Sequence, residues 1–399
     1  MPLSRREALT TLGVIAAGQA LVNEVVGDEA NPAAQVGDRT TTIKITALRA
    51  IWVGSHVFIK IETNHGVTGW GDLKGVDPRV SKPLAEALFQ YLDGENPTRI
   101  EHLWQKIYRG HRDIRGGPFL IHTLAAIDMA LWDITGKLWG VPVYRMLGGP
   151  TRDKIRYYHS KQAKKIPPHG IYDHSAVPTD IERMVAPVRA AREAVGPSGA
   201  VMFDAHCAVP PATLIQAAKA MEPYNLLFIE EPAVPGNIAV FERLKQHISI
   251  PLATGERDRT IYEMLPYLEK RCIDILQPDC CHTGGITSMK KIAVLAETYF
   301  VPLAPHCTAN YLGIAASFHV VATIPFFLIH EFYPDNGGFQ SGKIVRMNFK
   351  LDDDGYVSLP EGPGLGVEVD EKLLLEEAKK PQTYKWPGAK LKDGSVADY

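Results

Sequence analysis

In the second half of the chain, short apolar runs recur, each closing on or just before an ionisable side chain. The runs are VMFD, LLFIEEP, IPLATGE, IDILQPD, VPLAPH and FFLIHEF, and the polar residues at their ends are Asp204, Glu230, Glu256, Asp279, His306 and Glu331. Successive gaps of 26, 26, 23, 27 and 25 residues match one strand, one helix and two connections. Runs that are apolar throughout suit strands buried on both faces. Between them, PATLIQAAKAMEPY, NIAVFERLKQHI and ITSMKKIAVLAETY carry apolar residues at three- and four-residue steps, the mark of amphipathic helices. Right-handed crossovers then make the strands parallel. The pattern predicts an α/β fold, a parallel barrel whose C-terminal strand ends share one mouth.

Upstream, TTIKITALRAIWV and HVFIKIETNHGVTGWGD read as alternating strands joined by a short Gly-Ser turn. LIHTLAAIDMALWDITGKLWGVPVYRMLGG reads as a helix with Leu124, Ile127, Leu131 and Ile134 on one face and with Gly136 and Gly140 as terminators. The expected organisation is an α+β unit over 38–150, a barrel over 151–351, and a charged, Pro/Gly-rich segment over 352–399. That last segment has no barrel strand of its own and is expected to pack back on the first unit. Residues 1–37 stand apart. Arg5 and Arg6 precede a modest apolar stretch, which looks like a twin-arginine leader and predicts an exported, periplasmic protein. A plain N-terminal tail on a cytoplasmic protein is the alternative.

Composition narrows the function classes. A chain of 399 residues, 45% hydrophobic, can bury a barrel core and one smaller domain. A net charge of -2 without a basic tract points to no nucleic-acid partner and no membrane partner, and no internal segment reads as membrane-spanning. Five cysteines, an odd number spread through predicted core, argue against a disulfide framework.

The strand ends carry the chemistry. Asp204, Glu230 and Glu256 close three consecutive strands, so three carboxylates meet at one mouth and repel one another. One such acid is usually salt-bridged or solvated; three in phase call for a divalent cation. All-carboxylate ligation suits Mg2+ better than Zn2+. His206 lies two residues past Asp204, which on a strand is the same face. Asp279 and His306 close neighbouring strands, where a carboxylate can fix the tautomer of the imidazole and raise its basicity. Either histidine alone is more often an ordinary core or surface residue. Beside a cation they read as acid and base on two sides of a substrate, for removal of a proton next to a carboxylate and protonation of a departing hydroxyl. Glu331, at the rim, could hold a substrate hydroxyl or be an ordinary hydrogen-bonded acid. Cys207 and Cys307, each following a histidine, read as small buried residues.

Taken together, AIDMALWDITGKLWGVPVYRMLGG, FDAH, FIEEP, TGE, QPD with GGIT, and the late PH resemble the enolase superfamily, in its mandelate racemase subgroup. The resemblance implies a (β/α)7β TIM-like barrel with an N-terminal α+β capping domain, whose specificity loops fall near Trp70 to Asp77 and Arg109 to Pro118. It implies a Mg2+ site and Lys or His bases. Most similar are the acid-sugar dehydratases of the galactonate and mannonate type. By that likeness Asp204, Glu230 and Glu256 are metal ligands, His306 with Asp279 takes the C2 proton, and His206 assists loss of the C3 hydroxyl. Glu331 matches a late strand-end glutamate of those enzymes, and Tyr158 an aromatic residue on their second strand. The family's frequent assembly into dimers to octamers implies a homo-oligomer.

One departure sharpens the reading. Where racemases carry Lys-x-Lys, this chain has YYHSKQAKK, with Lys161 followed by Ala163 two positions on. A lysine base is disfavoured, although Lys161 could still bind substrate. The expectation is a Mg2+-dependent hydro-lyase converting a sugar acid (aldonate) to a 2-keto-3-deoxy acid. A histidine-based epimerase or racemase of hydroxy acids, and an exported, catalytically silent binding protein, are the alternatives.

Overall fold

The structure, a computed structural model, describes residues 42–113, 115–158, 178–334, 343–385 and 394. The export leader and Lys161 with its Lys-x-Lys comparison lie outside the described residues. The first layer is a meander of β1 (Ile45–Val53), β2 (His56–Thr63) and β3 (Thr68–Leu73), paired antiparallel. Helices α1 (Pro78–Leu88), α2 (Ile100–Gly110) and α3 (Pro118–Trp139) follow. Gly69 and Gly71 alternate on the face of β3 that meets α3. A Cβ at either would run into the carbonyl oxygens of Ala130 and Ala126 respectively, so strand and helix touch backbone to backbone. Gly71→Ala is therefore expected to cost at least about 3 kcal/mol, at the upper end of overpacking. A chemical-denaturation midpoint equal to the parent's would refute that close approach.

Helix α3 is apolar nearly all round and is long enough to cross a membrane, but 89% of that apolar stretch is buried inside the protein. It is a core helix, kept in register by Asp133, which accepts the backbone N–H groups of Trp70 and Leu365 and pairs with Lys137. Gly136 does not end it, contrary to expectation. The helix runs on to Trp139 and closes at Gly140 in the left-handed conformation, φ 72°, where glycine is favoured. Gly136 is small because Gly364 packs against it, and a Cβ there would meet that backbone at 2.6 Å.

After the short α4 (Val143–Met146), the ring opens with β4 (Lys154–Tyr158) and, past α5 (Pro178–Val195), β5 (Met202–Asp204). Then strand and helix alternate as predicted: α6 (Pro211–Met221), β6 (Phe228–Glu230), α7 (Ile238–His247), β7 (Leu252–Thr254), α8 (Thr260–Glu269), β8 (Ile275–Leu276), α9 (Gly285–Thr298), α10 (Tyr311–Val321) and β9 (His330–Glu331). Strands β5 to β8 pair parallel in that order. Parallel bridges continue from Leu276 to Leu303 and from Leu303 to Phe327, and β9 pairs parallel with β4. The strands are shorter than their apolar runs. The VPLAPH run bridges its neighbours through Leu303 alone, and Pro302 and Pro305 have no N–H to give. Tyr158, Phe228, Ala253, Ile275, Ala304 and Ile329 fill the interior as one apolar cluster.

Two placements differ from the sequence reading. Tyr158 ends the first strand of the ring, not the second, and among the described residues no pairing joins β4 to β5. The C-terminal segment does more than pack back. Of the strands β10 (Val345–Met347), β11 (Tyr356–Ser358) and β12 (Val367–Val369), β11 lies antiparallel on the edge of β4 opposite β9. Helix α11 (Glu371–Ala378) reaches the first layer, where Glu371 pairs with Lys60 at 2.8 Å.

The α+β unit also grips the barrel. Trp104 Nε1 donates to Gly284 O, Trp132 Nε1 to Thr287 Oγ1, and Asp128 Oδ2 accepts Thr287 N–H. The first holds the end of the connection between β8 and α9, the loop that carries Asp279, and the other two hold the first turn of α9. Fully buried Asp72, at the end of β3, accepts His56 Nδ1–H and the N–H of Asn310, which caps α10.

Candidate active site

Parallel pairing sets the strand ends beside one another. Asp204 and Glu230 are register partners on β5 and β6, and Glu256 follows β7 by two residues. Burial, then repulsion from Asp204 and Glu256, pushes the Glu230 carboxyl well above the usual range. Burial, with Glu231 and Asp204 as repelling neighbours and His306 opposing, lifts Glu256 to about 8. Asp204 opens to water at the mouth yet is walled by protein, and the same two causes push it upward. Among the described residues, Glu230 has one side-chain hydrogen-bond partner, Gln277 Nε2, at 2.8 Å. Among the described residues, no basic side chain is hydrogen-bonded to any of these three acids; the nearest is His306, whose Nε2 lies 3.7 Å from Glu256.

Two groups have cation-site spacing among the described residues: Asp279, His282 and His306, and His206, Glu231 and Glu256. Both already hold a cationic side chain. The Lys74 ammonium lies 2.9 Å from Asp279 Oδ2, and the Arg257 guanidinium binds Glu231 through Nε and Nη2. Among the described residues, Asp204, Glu230 and Glu256 together are not one of the groups with that spacing.

His306 is where Asp279 can orient it. Its Nδ1 donates to Asp279 Oδ2 at 2.7 Å, and Nε2 faces Glu256 at 3.7 Å and Glu331 at 3.8 Å. Burial alone would lower this imidazole; Glu256, Glu331 and Asp279 override it and hold it up at about 9. Burial would likewise raise Asp279, but His282, Lys74 and His306 keep it anionic. Glu331 is buried rather than at the rim. It accepts the Cys307 N–H and the Tyr333 hydroxyl, both donors, as suits a carboxylate. Tyr158 O–H is buried and has no hydrogen-bond partner among the described residues, and burial followed by Glu230 and Glu331 raises its pKa.

His206 reaches the site by another route than the i+2 rule. The strand stops at Asp204, whose Oδ1 accepts the His206 N–H at 2.8 Å. His206 and Cys207 are left-handed, at φ 47° and 55°. The turn sends the imidazole toward Glu231, 4.0 Å away, and Arg257, 3.5 Å away. Glu231 and Arg257 were missed from sequence, although each directly follows a predicted ligand, in FIEEP and TGER. Also missed were Lys74 and the stacked pair His122 and His282, with ring centroids 4.3 Å apart and planes 8° apart. All five cysteines are free; Cys207 is half-buried and donates weakly to Glu231 and Ala233 O.

Family models agree with this geometry across most of the chain. The Mandelate racemase / muconate lactonizing enzyme, N-terminal domain, matches residues 33–148, and the Enolase C-terminal domain-like family matches 153–373. The chain belongs to the enolase superfamily, in the mandelate racemase/muconate lactonizing enzyme family. Within that family it is similar to the D-galactonate dehydratase of Ralstonia pickettii, at 38% identity over 86% of this chain and 96% of that one. It is similar also to the D-galactonate dehydratase of Pectobacterium atrosepticum, at 35% identity and the same coverage. An enolase from Agrobacterium radiobacter, described as a candidate galactarate dehydratase and crystallised with sodium and L-malate, superposes with a TM-score of 0.79. It shares 30% identity over 89% of this chain and 99% of that one. A further enolase-superfamily member from Salmonella Typhimurium superposes with a TM-score of 0.78 at 28% identity, covering 84% of this chain and 98% of that one.

Proposed function

We propose that this enolase-superfamily protein is a hydro-lyase that dehydrates a sugar acid, an aldonate, to a 2-keto-3-deoxy acid with Mg2+ as its cofactor. The observation that carries it is the Asp279–His306 dyad, with Nε2 turned toward two carboxylates, and a second imidazole, His206, within 4.8 Å of one of them, Glu256. The names of the curated relatives support the substrate class.

Asp204, Glu230 and Glu256 would hold the ion, since hard carboxylate oxygens suit Mg2+ and their mutual repulsion is what a cation relieves. When bound, it supplies positive charge toward the substrate carboxylate. Asp279 holds Nδ1–H, so in the neutral ring, which an ion bound at Glu256 would favour, His306 Nε2 carries the lone pair and takes the proton from C2. His206, beside the Glu231–Arg257 pair, donates a proton to the C3 hydroxyl, which leaves as water. The resulting enol becomes the 2-keto group by taking a proton at C3 and releasing the proton of its C2 hydroxyl. Tyr158 O–H and Glu331 would hold substrate hydroxyls.

Incubating the protein and Mg2+ with aldonic and uronic-derived acids, D-galactonate first, should produce keto acid detectable as a semicarbazone. An epimerised acid in place of keto acid would assign the two histidines to an epimerase, and the dehydratase reading would fall.

A further inference from the structure

We propose that Lys74, at the end of β3 in the capping unit, is a positioning residue for the base, fixing the Asp279–His306 dyad from outside the barrel. This deepens the reading above and rests on it for the role of His306. Lys74 Nζ donates to Asp279 Oδ2 at 2.9 Å and to Thr308 Oγ1 at 2.9 Å. Asp279 is the dyad's carboxylate, and Thr308 lies two residues past His306. One ammonium thus ties together the two barrel segments between which the imidazole is held. The same Oδ2 accepts His306 Nδ1–H, so Lys74 and His306 share one acceptor atom, and the angle of the carboxylate depends on both.

The lysine is itself held. Its carbonyl accepts His122 Nδ1–H from α3 at 2.9 Å, and His122 stacks on His282. The chain turns at Gly75, φ 75°, so close to His282 that a Cβ would lie 2.7 Å from its Nε2. Burying an ammonium this deeply, with the side chain 6% exposed, costs several kcal/mol unless it is well paired. An apolar side chain would serve packing alone at less cost. The spacing of Asp279, His282 and His306 would suit a cation, and the Lys74 ammonium supplies that charge from the cap. The base is therefore in register only with the capping unit seated.

Lys74→Met, similar in shape and uncharged, tests this. The expected result is a kcat lower by about 10- to 100-fold, as for loss of an outer-shell partner, with KM changed less than about twofold. Deuterium exchange at C2 should fall in proportion. A second reading needs no substrate: the downfield proton resonance of His306 Nδ1–H, assigned by its absence in His306→Asn, should shift or broaden in Lys74→Met. Unchanged kcat and an unchanged resonance would overturn the proposal, as would a loss confined to KM. Should Lys74→Met fail to fold, Thr308→Val keeps every charge and removes one Nζ partner. It should lower kcat by about threefold at constant KM and move the same resonance, and no change in either overturns the proposal. If wild-type protein turns over no acid, the dehydratase reading fails, while the resonance still decides whether Lys74 holds the dyad.

Discussion

Glu230→Gln is expected to lower Mg2+-dependent turnover by at least about 10³-fold, the scale for losing a major electrostatic contributor in a water-poor site. Glu230 is the most enclosed of the three carboxylates, at 7% exposure, and stands between Asp204 on β5 and Glu256 after β7. Glutamine fills the same volume but removes one of three negative charges and one hard ligand. The substitution also has a signature apart from catalysis. Binding only the folded state stabilises it in proportion to ligand concentration over Kd, so Mg2+ should raise the melting temperature of wild type and leave Glu230→Gln unmoved. Without metal the variant should melt no lower than wild type, because it relieves repulsion among buried acids. Undiminished turnover of wild type in excess chelator, or of the variant in Mg2+, would sink the metal assignment.

His306→Asn is expected to abolish solvent-deuterium exchange at C2, by about 10³-fold or more, with little change in substrate affinity. Removing the general base eliminates the acceptor of the proton, while asparagine can still place an amide N–H near Asp279. The same variant should make no keto acid. His206→Asn should behave differently: C2 exchange persists while dehydration fails, because the acid acts on the leaving hydroxyl. Exchange continuing unchanged in His306→Asn would place the base elsewhere.

Most of this site was legible because its residues close apolar runs, and parallel pairing turns sequence period into spatial adjacency. Asp204, Glu230, Glu256, Asp279, His306 and Glu331 needed only that rule. His206 was found by strand periodicity and reached the site for a different reason, a left-handed turn capped by Asp204. Lys74 could not be found this way: its partner Asp279 is 205 residues distant in sequence, and only the seating of one unit on another brings them together. Gly136 was misread because a glycine spared for close packing and a glycine that ends a helix look alike in one sequence. The short β11 has too few residues to show alternation, and its place on β4 follows from tertiary fit.

The grip of Trp104 on the loop after β8, and of Asp128 and Trp132 on the first turn of α9, bears on how such enzymes can be recombined. A chimaera that exchanges the capping unit at residue 150 would sever those hydrogen bonds, together with the Lys74 link to Asp279, even if every specificity loop were transplanted intact. The natural unit of exchange is discontinuous in sequence: the cap together with the segment from Asp279 to Thr287.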